Sequence, residues 1–362
     1  MDRVYPATAE VLTTHTPSLF DAALARAVEL LRGGGLVALP TETVYGLAAN
    51  ALNAEAVAKI FKVKGRPAQN PVIVHVDGIE MAKRCVSVWT GAADNLAQAF
   101  WPGPLTLVLP RSAEIPDAVT SGGTTVGVRW PRHPFIQAVI RASGFPLATP
   151  SANLSTEVSP TTAEHVRKSL GDKIALIIDG GPAQVGIEST VLDLTEDQPR
   201  ILRPGMIHAE SLLAVIGVVA NADWELARRS RAETDTRPAA SKDSGAANAA
   251  SLRSPGLLAK HYTPKAKLRI LSWRNDADLR DQLSAVGGSW SAIHVIAHTG
   301  IPSDMGFGRV SVIPRQAGAF ARAIYAELHR CDDEGAKLIV VEAPPDSIEW
   351  QAIVDRLQRA AA

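Results

Sequence analysis

The feature that most limits how this chain can fold is a series of short apolar runs stopped by proline or a glycine turn. Residues 36–39 are closed by Pro40, residues 147–149 by Pro150, and residues 174–178 by Asp179-Gly180-Gly181. Runs this short read as buried strands. Between many of them lie helical patterns. Leu19, Ala23, Ala27, Leu30 and Leu31 follow helical spacing behind Pro17-Ser18, and Gly33-Gly34-Gly35 ends that helix as a C-cap turn. Further helices are expected at about 54–63, 134–142 and 162–170. Some strands nevertheless follow one another directly, 105–109 with 124–130 and 189–194 with 200–202. A purely doubly wound layout needs strict alternation, so the expected class is α/β with an α+β character: a twisted mixed sheet with helices.

A second unit follows. Residues 225–250 are rich in Ala, Ser and charge without an apolar period, which reads as a linker. The block Ser254 to Pro264, SPGLLAKHYTP, carries two prolines, a glycine and an aromatic, and is too structured for a plain tether. From Lys267 a strand–helix alternation resumes, with strands at 268–271, 293–297, 310–313 and 338–342 and helices at 276–285, 318–331 and 350–360. It resembles a small Rossmann-like α/β domain, with no phosphate fingerprint to give it a ligand. The expected division is 1–220, 221–265 and 266–362.

Charge and cysteine content exclude several classes. Lys plus Arg and Asp plus Glu are 37 each, and 46% apolar residues are ample for real cores. Through Glu210 there are 18 cations against 20 anions, so no large phosphate-binding surface is expected there. Cys85 and Cys331 stand alone, with neither metal spacing nor a disulfide framework. No signal-peptide pattern opens the sequence and no apolar run approaches a bilayer span, so a soluble cytoplasmic protein is expected.

Residues 36–75 concentrate the chemistry. A hydroxyl turn, Thr41-Glu42-Thr43, follows the first strand. The helix at 54–63 runs into three cations, Lys62, Lys64 and Arg66, broken by Gly65 and Pro67, and a strand at 71–76 delivers His75. Cations at a helix C-terminus are often only a solvated, dipole-opposing cluster. Complementary groups at later strand ends favour more than that. Arg129 ends a strand, Thr149 and Ser151 bracket Pro150, Ser189 and Thr190 follow Glu188, and Arg203 ends another strand. Gathered on one side of a sheet, they make a cleft of cations and neutral hydroxyls, suited to a polyphosphate and a small polar zwitterion.

Other chemistries lack their motifs. Residues 181–186, followed by Ile187-Glu188-Ser189, lack the lysine of a phosphate loop, and Gly306-Phe307-Gly308 precedes a strand instead of opening a helix. His294 and His298 read as strand histidines, not a metal pair. No serine has an evident partner base for covalent catalysis.

The ordered segments PTETVYGL, KGRPAQNPVIVH, FWPGPLTLVL, VGVRWP, ATPSANLS, IIDGG, GIESTV and RILRPG resemble the YrdC-like threonylcarbamoyl-AMP synthases. SPGLLAKHYTP and YAELHRCDDEGAKLIVVE are similar to the linker and C-terminal domain of the longer, two-domain members. The resemblance implies a YrdC-like catalytic domain over 1–220 that joins L-threonine, bicarbonate or CO2 and ATP into threonylcarbamoyl-adenylate and pyrophosphate. That product serves threonylcarbamoyladenosine formation at position 37 of tRNAs reading ANN codons, through a downstream transferase machinery, with weak or no direct tRNA binding here and no membrane. Carried over, Thr43, His75, Arg129, Thr149 and Ser189 would hold L-threonine. Arg66, Asn70, Thr125, Ser151, Ser159, Arg203 and Tyr262 would hold ATP, and Lys64, Arg66, Ser151 and Asn153 form the catalytic tetrad. Mg2+ would arrive on the ATP phosphates, with no protein metal site. Residues 254–264 would cross the cleft mouth. Two other functions remain open to the sequence. One is a double-stranded RNA- or tRNA-binding translation factor. The other is carbamoyl transfer as in related domains of hydrogenase maturation proteins, though their acylphosphatase and zinc-finger-like modules are not visible.

Overall fold

The computed structural model describes residues 8–217, 261–284, 289–303 and 306–362. The expected linker at 225–250 and positions 254–260 of the expected covering segment lie outside them.

The first unit alternates as β1 (Glu10–Thr13), α1 (Pro17–Arg32), β2 (Val37–Leu39), β3 (Gly46–Asn50), α2 (Ala54–Lys64), β4 (Val74–His75), α3 (Ile79–Cys85), α4 (Gly91–Phe100) and β5 (Leu105–Pro110). It continues through α5 (Asp117–Thr120), β6 (Thr125–Arg129), α6 (Pro134–Ser143), β7 (Leu147–Ala148), α7 (Ala163–Leu170), β8 (Leu176–Asp179), β9 (Thr190–Asp193), β10 (Arg200–Arg203) and α8 (Ala209–Ile216). Its ten strands form one sheet in the order β1-β8-β2-β3-β7-β4-β6-β5-β9-β10. The pairs β1–β8, β2–β8, β4–β6 and β5–β9 are parallel, and β2–β3, β3–β7, β4–β7, β5–β6 and β9–β10 antiparallel. This is the mixed sheet expected.

Two local readings change. The stretch after the Thr41 turn does not simply bend away; β3 folds back on β2, pairing Val37 with Ala48 and Leu39 with Gly46. The strand expected over 71–76 shrinks to Val74–His75. Pro71 has no N–H to give, and Val72 N spends its bond on Val119 O in a loop. The ends of β4, β6, β7 and β9 still meet, through His75–Arg129 and His75–Leu147 pairing on one side and β5 on the other.

Helices cover both faces of this sheet. Ala23, Ala27 and Leu31 of α1 pack with Phe135, Val139 and Ile140 of α6 over Leu39 and Ile178. On the opposite face Val57 and Ile60 of α2, Leu96 of α4 and Leu170 of α7 pack over Leu47, Leu107 and Val128. Each of these Leu, Ile, Val and Phe side chains contributes about 1.5–3 kcal/mol by leaving water, the alanines less.

The second unit runs β11 (Lys267–Leu271), α9 (Asp276–Ser284), β12 (Ile293–Ala297), β13 (Arg309–Val312), α10 (Ala317–Asp333), β14 (Leu338–Glu342) and α11 (Gln351–Ala360). Its four strands are all parallel, in the order β11-β14-β12-β13. One hydrophobic cluster joins the two units, with Val44, Val158 and Ile187 packing among Tyr262, Phe320 and Tyr325. Gly186 permits that approach. It has φ +85°, and a Cβ there would lie inside contact distance of Arg322 Cα and 2.5 Å from Ala321 O, both backbone atoms of α10. Gly186→Ala is therefore expected to cost about 3 kcal/mol or more in a urea unfolding titration, because neither backbone can yield. Unchanged stability would mean that α10 does not dock there.

Candidate active site

The sheet's inner strand ends surround a partly open cavity. Local sequence explains how each wall is built. Asn53 caps α2 by accepting from Ala56 N, and Gly65, at φ 59°, turns the chain left-handed at the helix end. Helical phase and that turn together divide the expected cation cluster, Lys64 continuing the buried face of Val57 and Ile60 and Arg66 returning after Gly65. Lys62 faces solvent, whereas Lys64, 2% exposed, and Arg66 fold inward.

Lys64 Nζ donates to the carbonyls of Ser151 and Asn153 and stands 3.5 Å from Asn153 Oδ1. Arg66 donates to Asn70 O (2.9 Å), Asn70 Oδ1 (2.8 Å) and Pro71 O (2.6 Å). Arg203 donates to Ser189 O (3.1 Å) and Ser189 Oγ (3.0 Å). All three cations have neutral hydrogen-bond partners. Among the described residues no carboxylate pairs with any of them. Burial, then the charge of Arg66, holds the Lys64 ammonium well below its ordinary pKa. Burial likewise pulls Arg66 down to about 10. A pocket that strains its cations this way is short of an anion.

At the other end sits Arg129. Its Nη2 meets Glu42 Oε1 at 2.6 Å, its Nη1 donates to Thr43 Oγ1 at 3.0 Å and its Nε to Gly103 O at 3.1 Å. Glu42, which sequence reasoning did not single out, thus fixes the guanidinium. Burial pushes the Glu42 carboxyl up, but the charge of Arg129 together with hydrogen bonds from Arg129 and from backbone N–H groups leaves the pKa lowered. His75 is buried beside this pair, and burial followed by Arg129 keeps its pKa well below normal. The ring is neutral at physiological pH, and its Nδ1 has no hydrogen-bond partner among the described residues. Thr149 and Gly46 complete this wall.

Of the expected residues, Thr43, His75, Arg66, Arg129, Thr149, Ser151, Ser189, Arg203 and Tyr262 line this one cavity. Lys64 and Asn70 stand behind the wall, bonded to Ser151 and Arg66 of it, and Asn153 accepts from Lys64 in turn. Ser159 turns its hydroxyl to Glu188 Oε1 at 2.6 Å instead of to the cavity. Thr125 is set apart. It opens β6 while Arg129 closes it, about 13 Å along a strand, and it lines a smaller cavity that shares Val72 and Ile73 with the first.

Glu188 was also missed as a site residue. Its signal was an acid just ahead of the buried strand Thr190–Asp193, where a buried charge must find a partner. It finds Ser159, Arg356 and Tyr325. His261 and Tyr262 roof the cavity, and Tyr262 adopts a left-handed φ of 62°, unusual for an aromatic residue. Backbone bonds from His261 N to Arg359 O and from Thr263 N to Thr156 O hold this segment between the two units.

Histidines at the junction make stability pH-dependent. His165 of α7 stacks on His329 of α10 with centroids 3.9 Å apart, and burial, then His329, pulls the His165 pKa to about 3. Burial takes His261 to about 3 as well. Both folded values lie below the ordinary 6.5, so the unfolded chain protonates first. Their contribution is complete above about pH 6.5 and shrinks as pH falls, by up to about 1.4 kcal/mol per pH unit for each histidine. Urea midpoints at pH 7.5 and 5.5 are expected to differ in that direction, and His165→Phe should reduce the difference. A midpoint equal at both pH values would contradict it.

Comparison with known proteins gives a consistent picture. Residues 29–205 match a family model described as Telomere recombination, of the Sua5, YciO and YrdC proteins. Residues 207–362 match one described as Threonylcarbamoyl-AMP synthase, C-terminal domain. The threonylcarbamoyl-AMP synthase of Bacillus subtilis is 39% identical, over 94% of this chain and 93% of that one. The Pyrococcus abyssi protein of the same name is 36% identical, over 92% and 93%. The crystal structure of P. abyssi Sua5 complexed with L-threonine superposes with a TM-score of 0.82 at 34% identity, covering 97% of this chain and 96% of that one.

Proposed function

The chain belongs to the threonylcarbamoyl-AMP synthase family, in its two-domain form, and on that premise we propose that its cleft joins L-threonine, bicarbonate or CO2 and ATP into threonylcarbamoyl-adenylate. The observation that carries the reading is the cavity's division into two ends. One holds Arg66 and Arg203, backed by Lys64, each hydrogen-bonded to neutral groups among the described residues. The other offers one guanidinium already balanced by Glu42, hydroxyls and a neutral imidazole. The first suits a polyanion and the second a zwitterion. A related P. abyssi structure carries L-threonine, which supports Thr43, His75, Arg129, Thr149 and Ser189 as the amino-acid end.

The threonine ammonium gives up a proton to solvent, and its nitrogen forms a bond to the carbon of CO2, losing a second proton to solvent, or to that of bicarbonate, whose hydroxyl leaves with the second proton as water. A carbamate oxygen then attacks the α-phosphorus, and the bond to the bridging oxygen breaks as pyrophosphate leaves. The site's part is placement and charge neutralisation, with no covalent protein intermediate. Arg129 orients the threonine carboxylate, and His75 Nδ1 offers a hydrogen bond. Lys64, Arg66, Ser151 and Asn153 steady the bicarbonate and phosphates. Arg66, Arg203 and Tyr262, with Asn70 behind Arg66, hold the nucleotide. Thr125 joins them where the ligand extends past Val72 and Ile73, and Ser159 acts through Glu188. His261 and Tyr262 shield the labile mixed anhydride from water.

Among the described residues no group of three His, Cys, Asp or Glu could hold a metal ion. The cationic donor set does not suit Mg2+, so Mg2+ would come on the ATP phosphates. No described helix is long and apolar enough to cross a membrane. Residues 1–220 would be the catalytic unit, 221–265 its linker and cover, and 266–362 the second domain. The adenylate would pass to a transferase that modifies adenosine 37 of tRNAs reading ANN codons. Equal cation and anion counts do not favour the RNA-binding alternative. The test is pyrophosphate release from ATP with each co-substrate omitted in turn. Release is expected only with both L-threonine and bicarbonate; release independent of threonine would end the reading.

A further inference from the structure

The apolar face of α11 contains Ala352, Ile353, Leu357 and Ala360, and in their midst Arg356, only 1% exposed. A guanidinium on such a face needs compensation. Part comes from its own helix, with Nη1 2.6 Å from Asp355 Oδ2. The rest comes from the other unit. Arg356 Nε donates to Glu188 Oε2 at 2.9 Å, and the guanidinium lies 5.4 Å from the Tyr262 ring centroid. Tyr325 of α10 donates to the same carboxylate oxygen at 3.2 Å. The second domain therefore places two donors on a carboxylate that forms part of the cleft wall.

Glu188 stands at the cation end of the cleft. Burial pushes its carboxyl up, yet the charges of Arg356 and Arg203, with bonds from Ser159 and Arg356, leave its pKa lowered, so it stays ionised. Left alone, that charge would repel an incoming polyphosphate and draw down the field of Arg203, whose own titration responds to both Glu188 and Arg356. An amino-acid zwitterion at the opposite end, with no net charge, would feel far less.

We propose that Arg356 is a positioning residue supplied by the second domain, which cancels the Glu188 charge and so fits the cation end of the cleft for ATP. This gives the second domain a role in the reaction without a ligand of its own. It rests on reading that end as the ATP subsite.

The test is steady-state pyrophosphate release by full-length wild type, Arg356→Met and Arg356→Met/Glu188→Gln, with ATP and L-threonine varied separately. Arg356→Met is expected to raise the KM for ATP about thirtyfold while the KM for threonine moves less than about threefold. The double variant, which has no unpaired buried charge, is expected to recover about tenfold of that loss. Equal changes in both KM values, or a double variant no better than the single, would overturn the proposal and leave Arg356 a packing residue. Should Arg356→Met fail to fold, the double variant decides. An ATP KM within about threefold of wild type supports charge cancellation, and one raised about thirtyfold contradicts it. A wild type without threonine-dependent release would instead sink the subsite reading. An active wild type with an unaffected Arg356→Met sinks only this inference.

Discussion

Lys64→Met is expected to lower kcat/KM for threonine-dependent pyrophosphate release by about 100- to 1000-fold, the usual cost of removing one preorganised electrostatic group. Lys64 is the innermost of the three cations, and burial with Arg66 close by already disfavours its charge. An arriving anion relieves that strain, which makes the ammonium useful to the reaction and awkward for the fold. Methionine keeps the length and apolar volume and removes the charge. It leaves the carbonyls of Ser151 and Asn153 without this donor, at about 1–3 kcal/mol each if water does not replace it. Removing a buried unpaired charge offsets part of that cost. The thermal midpoint should therefore move by only several degrees while activity falls by orders of magnitude. Activity within threefold of wild type would remove Lys64 from the site.

Arg129→Leu should act on stability and binding together. It strands Glu42, whose carboxylate is almost fully enclosed and whose charged partner among the described residues is Arg129, and breaking such a pair costs about 3–5 kcal/mol. The pH dependence should also invert. In the wild type Glu42 has a lowered pKa, so its contribution is present above the unfolded value of about 4.5 and is lost as pH falls through the lower folded value. Without Arg129, burial alone raises that pKa, and the variant is weakest at neutral pH and regains stability as the carboxyl protonates. Glu42→Gln/Arg129→Leu should recover most of the stability but none of the L-threonine binding, read by calorimetry. Recovery of threonine binding in the double variant would show that Arg129 serves only the fold.

Helices and long strands were legible because their signals are local. Thr16 caps α1 and Pro17 opens it, and the apolar spacing through Leu31 sets its buried face. β3 was not legible, since Gly-Leu-Ala-Ala-Asn has little strand propensity and becomes a strand by pairing with β2 and β7. Within the site, hydroxyls and cations at strand ends could be read because prolines and glycines mark those ends. The split between Lys62 outside and Lys64 inside follows helical phase, since Lys64 continues the buried face of Val57 and Ile60, whereas the inward return of Arg66 depends on the left-handed turn at Gly65 and could not be read. The least legible element was the coupling of Glu188 to Arg356. The two are 168 positions apart, and no local pattern joins them. Arg356 did leave one trace, a charge on the apolar stripe of its own helix.

In the proposed reaction threonine is carbamoylated before it is adenylated, and a product measurement separates this order from its alternatives. Full-length protein would be incubated with ATP, L-threonine and 13C-bicarbonate, and the products resolved rapidly by mass spectrometry. Threonylcarbamoyl-adenylate carrying one 13C, in step with pyrophosphate, is the predicted result. Threonyl-adenylate without the label, or AMP and pyrophosphate formed without any threonine adduct, would contradict it.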